Sequence, residues 1–308
     1  MALLNIFGRR DKAGAVSPRG LQGILAGHSI EVMPRTAAKV EDFRALLRPG
    51  TRVYIAHLEG TSIDDMVATA KRLTDEGFPV MPHVPARIIT DRAMLEHWLR
   101  RYRDEAGVDQ ALVLAGGVAE PVGEFHSSMQ LLETGLFDTY GFKRLHVAGH
   151  PEGNRDIDTD GGTRLVDEAL RWKQDFAERT DADMAIVTQF AFEAAPVIAW
   201  AERLRAGGIT LPIHVGIAGS AKLQTLIKYA VACGVGPSLR VLQRRALDVT
   251  KLMLPYEPTE VLADLAAYQA EHPDGPITQV HFFPLGGIKA CANWTAEHGG
   301  AAVQRASA

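Results

Sequence analysis

Eight short runs rich in apolar and β-branched residues recur along this chain, with stretches of helical periodicity between them. Two parallel strands need a crossover, usually helical, to join them, so this alternation reads as a series of parallel β-α units. The runs are Ser29–Met33, Arg52–His57, Pro79–Val84, Ala111–Leu114, Arg144–Ala148, Met184–Gln189, Pro212–Ile217 and Ile277–Phe283. A typical intervening stretch, Ser62 to Leu73, places apolar residues at helical spacing behind a Ser cap and predicts a helix of about three turns. Between the seventh and eighth runs lie three predicted helices, Lys222–Cys233, near Leu239–Leu252 and near Pro258–Gln269. An open doubly wound sheet uses the same alternation, but no run is followed by a Gly-x-Gly-x-x-Gly turn. The expected fold is therefore a closed (β/α)8 TIM barrel with extra helices between strands 7 and 8.

Length suits that fold, since 308 residues accommodate a barrel of about 250 residues with insertions. No repeat, low-complexity tract or linker divides the chain, so residues 19–308 are expected to form one domain. Residues 1–18 read as a flexible arm, with a contact in a homo-oligomer as the alternative. The apolar start, Met1 to Phe7, is too short for a signal peptide and precedes its basic residues, and no apolar run reaches 18 residues. A protein of the cytoplasm, without a membrane span, is expected. A net charge of −4 gives no reason to expect a nucleic-acid surface. Cys233 and Cys291 are too few for a disulfide framework and lack the spacing of a zinc site, and no metal is expected.

Barrel enzymes carry their chemistry at the C-terminal ends of the strands. There Glu31 stands between Ile30 and Val32, where a carboxylate is costly to bury without a partner or a task. A structural salt bridge competes with a role as a general acid whose pKa burial has raised. His57 and His83 close the second and third strands, His150 follows the fifth and Gln189 ends the sixth. A lone strand-end histidine is as readily structural as functional, but the prolines of Met81-Pro-His-Val-Pro85 fix how His83 projects. The fourth strand runs into Ala115, Gly116 and Gly117, where backbone can approach a ligand or merely turn tightly. The first strand lacks the His-x-His of a metal-dependent hydrolase. The sixth carries Gln189 in place of a Schiff-base lysine.

Taken in order, these segments resemble the 5,10-methylenetetrahydrofolate reductases over about residues 28–290. Ser29-Ile-Glu-Val-Met-Pro-Arg35 is similar to that family's first strand, Pro82-His83 to its third, and Val147-Ala-Gly-His-Pro-Glu152 to its Ala-x-Tyr-Pro-Glu loop. Ile186-Val-Thr-Gln-Phe190 resembles its pterin-binding strand, and Val280-His-Phe-Phe283 its closing strand. The resemblance implies reduction of 5,10-methylenetetrahydrofolate to the 5-methyl compound with hydride from NAD(P)H. It makes Glu31 the acid that protonates N10 and places Gln189, Phe190 and Leu223 against the folate, although Leu223 also lies at helical core spacing. It puts His83, Ala115, Gly116, Gly117, His150 and Lys173 near the cofactor. Here the family's Arg-Gly-Asp is replaced by Ala115-Gly116-Gly117 and its loop tyrosine by His150. Two expectations follow: FAD is held by altered contacts, or the nicotinamide passes hydride to the folate directly. A barrel that binds folate or flavin without this catalysis, or a folate-dependent one-carbon transfer protein, is the alternative.

Overall fold

A computed structural model describes residues 18–233, 240–243 and 255–299. Eight parallel strands close on themselves in chain order: β1 (Ser29–Val32), β2 (Val53–Ile55), β3 (Val80–Pro85), β4 (Gln110–Leu114), β5 (Arg144–Gly149), β6 (Asp183–Ala191), β7 (Ile213–Ala218) and β8 (Ile277–Phe283). The closing pair is β1 with β8, Ser29 opposite His281. The expected (β/α)8 barrel is thus the observed one, with every strand boundary within two residues of its sequence prediction.

The flanking helices are α1 (Ile63–Asp75), α2 (Arg92–Ala106), α3 (Ser128–Glu133), α4 (Arg164–Ala177), α5 (Ala194–Ala206), α6 (Leu223–Ala232), α7 (Thr259–Glu271) and α8 (Ile288–His298). Local signals set their ends. Ser62 and Asp91 accept the Asp65 and Met94 N–H groups at the starts of α1 and α2, and Gly107 closes α2 with a left-handed φ of 63°. Of the extra helices expected between β7 and β8, α6 and α7 are present. Residues 240–243 of the middle one are helical, and the rest of it lies outside the described residues, as does all but the last residue of the 1–18 arm.

The first crossover departs from the pattern. In place of a full helix it has one turn at Pro34–Ala37 and a 3-10 turn at Phe43–Ala45. Arg72 of α1 holds it down by donating to the Ala37, Val40 and Glu41 carbonyls, while Glu76 accepts the Phe43 N–H. This short crossover opens space above β1, and residues 36–46 contribute to the wall of the cavity there.

Alternation along the strands divides the core. Ile30, Val53, Ile55, Val113, Val147, Ile186, Val215 and Val280 belong to the main cluster between sheet and helices. Tyr54, Met81, Leu112 and Val187 form a separate cluster inside the barrel. The β6–β7 register shifts between Val187 and Phe190. There Thr188 Oγ1 accepts the Gly216 N–H at 2.9 Å and donates to the Gln189 carbonyl at 2.9 Å. Gln189, expected at the end of its strand, sits in this bulge two residues before the end.

Candidate active site at the C-terminal mouth

A cavity of about 1520 Å³ opens at the C-terminal ends of the strands. That exceeds the roughly 300–1,000 Å³ of a site for one drug-sized ligand and gives room for two reactants side by side. Glu31, His83, Gly116, Gly117, Gln189 and Phe190 all line it, having come from four strands or the loops after them. Leu285 and Ile288 add apolar wall, and Lys39 and Lys289 add positive charge.

Glu31 is the centre of the polar part. Its Oε2 lies 3.2 Å from His83 Nε2 and 3.8 Å from His281 Nε2. Neither contact is an aligned hydrogen bond, since both imidazole nitrogens are buried without a directed partner. Both imidazoles nonetheless lie close enough to act on the carboxyl. Burial alone would raise the Glu31 carboxyl, but His281 and His83 outweigh it and draw it down to about 2. The expectation that burial lifts Glu31 toward neutrality is thus corrected: its resting form is the carboxylate. The His281 imidazole is itself lowered, by burial first and with Glu31 opposing. Behind it, Ser29 Oγ lies 2.9 Å from His281 Nδ1.

Gln189 approaches the cavity from the opposite wall. Its side-chain oxygen accepts the Phe190 N–H at 3.1 Å, and the rest of the carboxamide remains available to a ligand. Phe190 is almost fully buried but contributes to the lining, packed edge-on against Phe192 and Phe283. Leu223 does not reach the cavity surface; it is buried in an apolar cluster with Phe190, Leu226 and Tyr256. His57 also lines the cavity, but its Nε2 bonds the Thr61 carbonyl at 3.0 Å and its ring stacks on Trp98, which accounts for it structurally.

The residues expected around a flavin do not share one surface. His83, Gly116 and Gly117 line the cavity, whereas Ala115, His150 and Lys173 do not. Gly116 has a φ of 98°, and a Cβ there would meet Pro85 Cβ at 3.0 Å, so local packing and backbone conformation already account for this glycine. The Ala115 carbonyl accepts the Arg87 N–H. His150 is lowered to about 4, by burial first and then by Lys173, so it carries no charge near neutrality. Lys173 is buried, with its amine 3.4 Å from the Ala148 carbonyl, and burial lowers it to about 8. This donor set does not fit a flavin in the cavity. Among the described residues, no cluster of His, Cys, Asp and Glu is arranged to hold a metal ion, and no helix is long and apolar enough to cross a membrane.

Three residues of the polar interior carried no functional reading in the sequence: Tyr54, His146 and His214. Their signal was period-2 placement, each being the inward residue of a strand whose outward neighbours are Val, Leu or Ile.

Fold and site together define a closed parallel barrel with a carboxylate–imidazole cluster on the floor of a cavity at its C-terminal mouth. No family model matches the chain. Solved structures similar to it include 7,8-dihydropteroate synthase from Vibrio fischeri ES114, at 12% identity over 88% of this chain and 93% of that one, with a TM-score of 0.42. The carboxyl transferase domain of Rhizobium etli pyruvate carboxylase with oxalate is similar at 10% identity over 84% of this chain and 48% of that one, with a TM-score of 0.39. At such values the likenesses carry no inference about ligand or reaction.

Proposed function

We propose that this protein is an oxidoreductase that reduces 5,10-methylenetetrahydrofolate to 5-methyltetrahydrofolate, with NADH or NADPH as hydride donor. The observation that carries the reading is Glu31, a carboxylate contacted by two imidazoles on the floor of a cavity whose other wall presents Gln189 and Phe190. The ordered resemblance of the strands bearing these residues to the methylenetetrahydrofolate reductases supplies the substrate.

The chemistry requires a proton and a hydride. Protonation of N10 opens the five-membered ring and leaves a 5-iminium cation, and the reduced nicotinamide supplies the hydride that turns its methylene carbon into the methyl group. Glu31 delivers the proton. Because Glu31 rests as the carboxylate, it takes up a proton before each turnover. Once the proton has left, the carboxylate stabilises the cation beside it. Gln189 pairs with the amide edge of the pterin. Lys39 and Lys289 suit the carboxylates of the folate tail. In this reading hydride passes directly between two ligands in the one cavity, whose wall includes His83, Gly116 and Gly117 but not Ala115, His150 or Lys173.

Purified protein given 5,10-methylenetetrahydrofolate should oxidise NADH or NADPH and form the 5-methyl product without added flavin. Glu31→Gln should lower kcat at least about 100-fold while folate binding stays measurable. Absence of turnover with either nicotinamide, with or without FAD, would refute the reading. The replacement of the family's carboxylate by Gly117 favours a second reading, a folate-binding or one-carbon transfer barrel without redox chemistry. Folate binding without transfer of deuterium from labelled NADH would support that one instead.

A further inference from the structure

A glycine in a loop ordinarily answers to backbone conformation or to close packing, and both show in what a Cβ in its place would meet. Gly116 answers to both, with a φ of 98° and a Cβ position only 3.0 Å from Pro85 Cβ. Gly117 answers to neither. Its φ is not left-handed and a Cβ there meets nothing within 4 Å, yet the residue lines the cavity. The space that a side chain at 117 would fill therefore belongs to the cavity, which Pro85, Ile88, Leu114 and Val118 wall in the same region, at the ends of β3 and β4.

The glycine pair is held in place from behind. Arg87 grips the chain on both sides of it: its backbone N–H donates to the Ala115 carbonyl at 2.9 Å, its Nη1 to the Val118 carbonyl at 3.0 Å and its Nε to the His126 carbonyl at 3.2 Å. Farther along the same loop the Val122 N–H donates to the Arg87 carbonyl and the Glu124 N–H to the Thr90 carbonyl. Between the two gripped carbonyls, Gly116 and Gly117 make no backbone hydrogen bond among the described residues, so their N–H and C=O groups remain for a ligand. The Arg87 side chain itself does not line the cavity. What results is a rigid shelf, apolar in its side chains, polar only in its backbone and without charge.

We propose that Gly117 is a specificity-determining position: the side chain it lacks leaves room for the dihydronicotinamide ring of the hydride donor, which lies against the Gly116–Gly117 backbone. This rests on the reading above, in which a reduced nicotinamide and a folate meet in one cavity. The two reactants divide the wall by their chemistry. The amide edge of the pterin calls for a side-chain carboxamide, and Gln189 of β6 supplies it. The dihydronicotinamide is a flat, neutral ring whose own carboxamide carries an acceptor and a donor, a match for backbone N–H and C=O groups. Such a ring can lie close on bare peptide only where no Cβ intervenes. In the transfer the C4–H bond of that ring breaks, and its hydrogen and electron pair form the new C–H bond of the methyl group. The π pair of the iminium withdraws to N5, and the ring is left as a pyridinium cation. A shelf without a cationic side chain does not oppose that charge.

Equilibrium binding to the full chain tests this apart from turnover, with NADH and NADPH followed by nicotinamide fluorescence and 5-methyltetrahydrofolate by calorimetry. Gly117→Ala should raise the Kd of the nicotinamide about threefold, and Gly117→Val, whose branched side chain cannot fold away, at least about tenfold. The Kd of 5-methyltetrahydrofolate should stay within about twofold in both variants, and the Tm of Gly117→Ala should not fall. Unchanged nicotinamide affinity in Gly117→Val would overturn the proposal. Equal weakening of both ligands would overturn it too, since the shelf would then not be the nicotinamide's own, and a lower Tm for Gly117→Ala would make the glycine structural. A wild-type protein that binds neither NADH nor NADPH would overturn both this proposal and the reductase reading. If the binding series behaves as expected but wild-type protein shows no turnover of 5,10-methylenetetrahydrofolate, the reductase reading falls and the nicotinamide site stands.

Discussion

Replacing Gly216 by Ala should damage both the fold and the pocket, and the structure sets the size of the effect. A Cβ at Gly216 would lie 2.5 Å from the Thr188 carbonyl oxygen, 2.6 Å from the Gln189 oxygen and 2.7 Å from the Gln189 carbonyl carbon. Ordinary Cβ contacts begin near 3.4 Å, so β6 and β7 must part locally by about 0.9 Å. All three contacts are backbone, and no side-chain rotation relieves them. The same movement would stretch the 2.9 Å bond from the Gly216 N–H to Thr188 Oγ1 beyond useful range. Overpacking of this kind costs about 1–3 kcal/mol and the lost hydrogen bond about 1 kcal/mol more. In a chain of this length that corresponds to a fall in Tm of roughly 3–6 °C. Gln189 rides on the displaced bulge, and a misplacement near 1 Å costs about 100-fold in rate. Thermal melts by circular dichroism and folate titration would measure both effects. Gly23→Ala is the control, because a Cβ there meets nothing within 4 Å, its φ is not left-handed and it does not line the cavity. An unchanged Tm for Gly216→Ala, or losses in Tm and folate binding no larger than the control's, would refute the reasoning.

Other expectations follow from the same structure. The Glu31 carboxyl is lower in the fold than its ordinary 4.5, so it contributes stability above pH 4.5 that disappears as pH falls toward 2; acid titration of Glu31→Gln should lack that step. Lys173 is lowered from 10.5 to about 8, so the unfolded chain binds the extra proton between those values and stability should rise with pH across that window. Lys173→Met should remove this rise and stabilise the protein at pH 7 by up to about 3 kcal/mol in urea titrations, whereas a lysine needed for cofactor would show weakened nicotinamide binding instead. Asp158 accepts the Leu165 and Val166 N–H groups at 2.8 and 3.0 Å, capping α4; Asp158→Ala should cost about 1–2 kcal/mol in the same titrations.

Much of the fold was legible because strand and crossover periods are local properties. The runs around Val53–Ile55 and Ile213–Ala218 announce themselves by β-branched residues, and their boundaries are set by flanking turns and caps. The first crossover was less legible, because Arg72 and Glu76, some thirty residues away, hold its irregular backbone. The same division runs through the site. Glu31, His83 and Gln189 stood out as polar residues in apolar strands, and all three face one cavity. His150 stood out by its place after the fifth strand and Lys173 by resemblance alone, and neither lines that cavity.

The sequence by itself determined that eight parallel units would form and which residues of each strand would point inward, since both depend on spacing along one segment. Only the tertiary structure decided what those inward residues meet. Pairing of β8 with β1 brings His281 beside Ser29 and within 3.8 Å of Glu31, from some 250 residues away in the chain. That meeting reverses the direction in which burial alone would have moved the carboxyl. Closure of the barrel also brings the rings of Tyr54, His146 and His214 together inside it. Charge, proximity and proton position depend on distances across the barrel, and those exist only once its last strand has docked on its first.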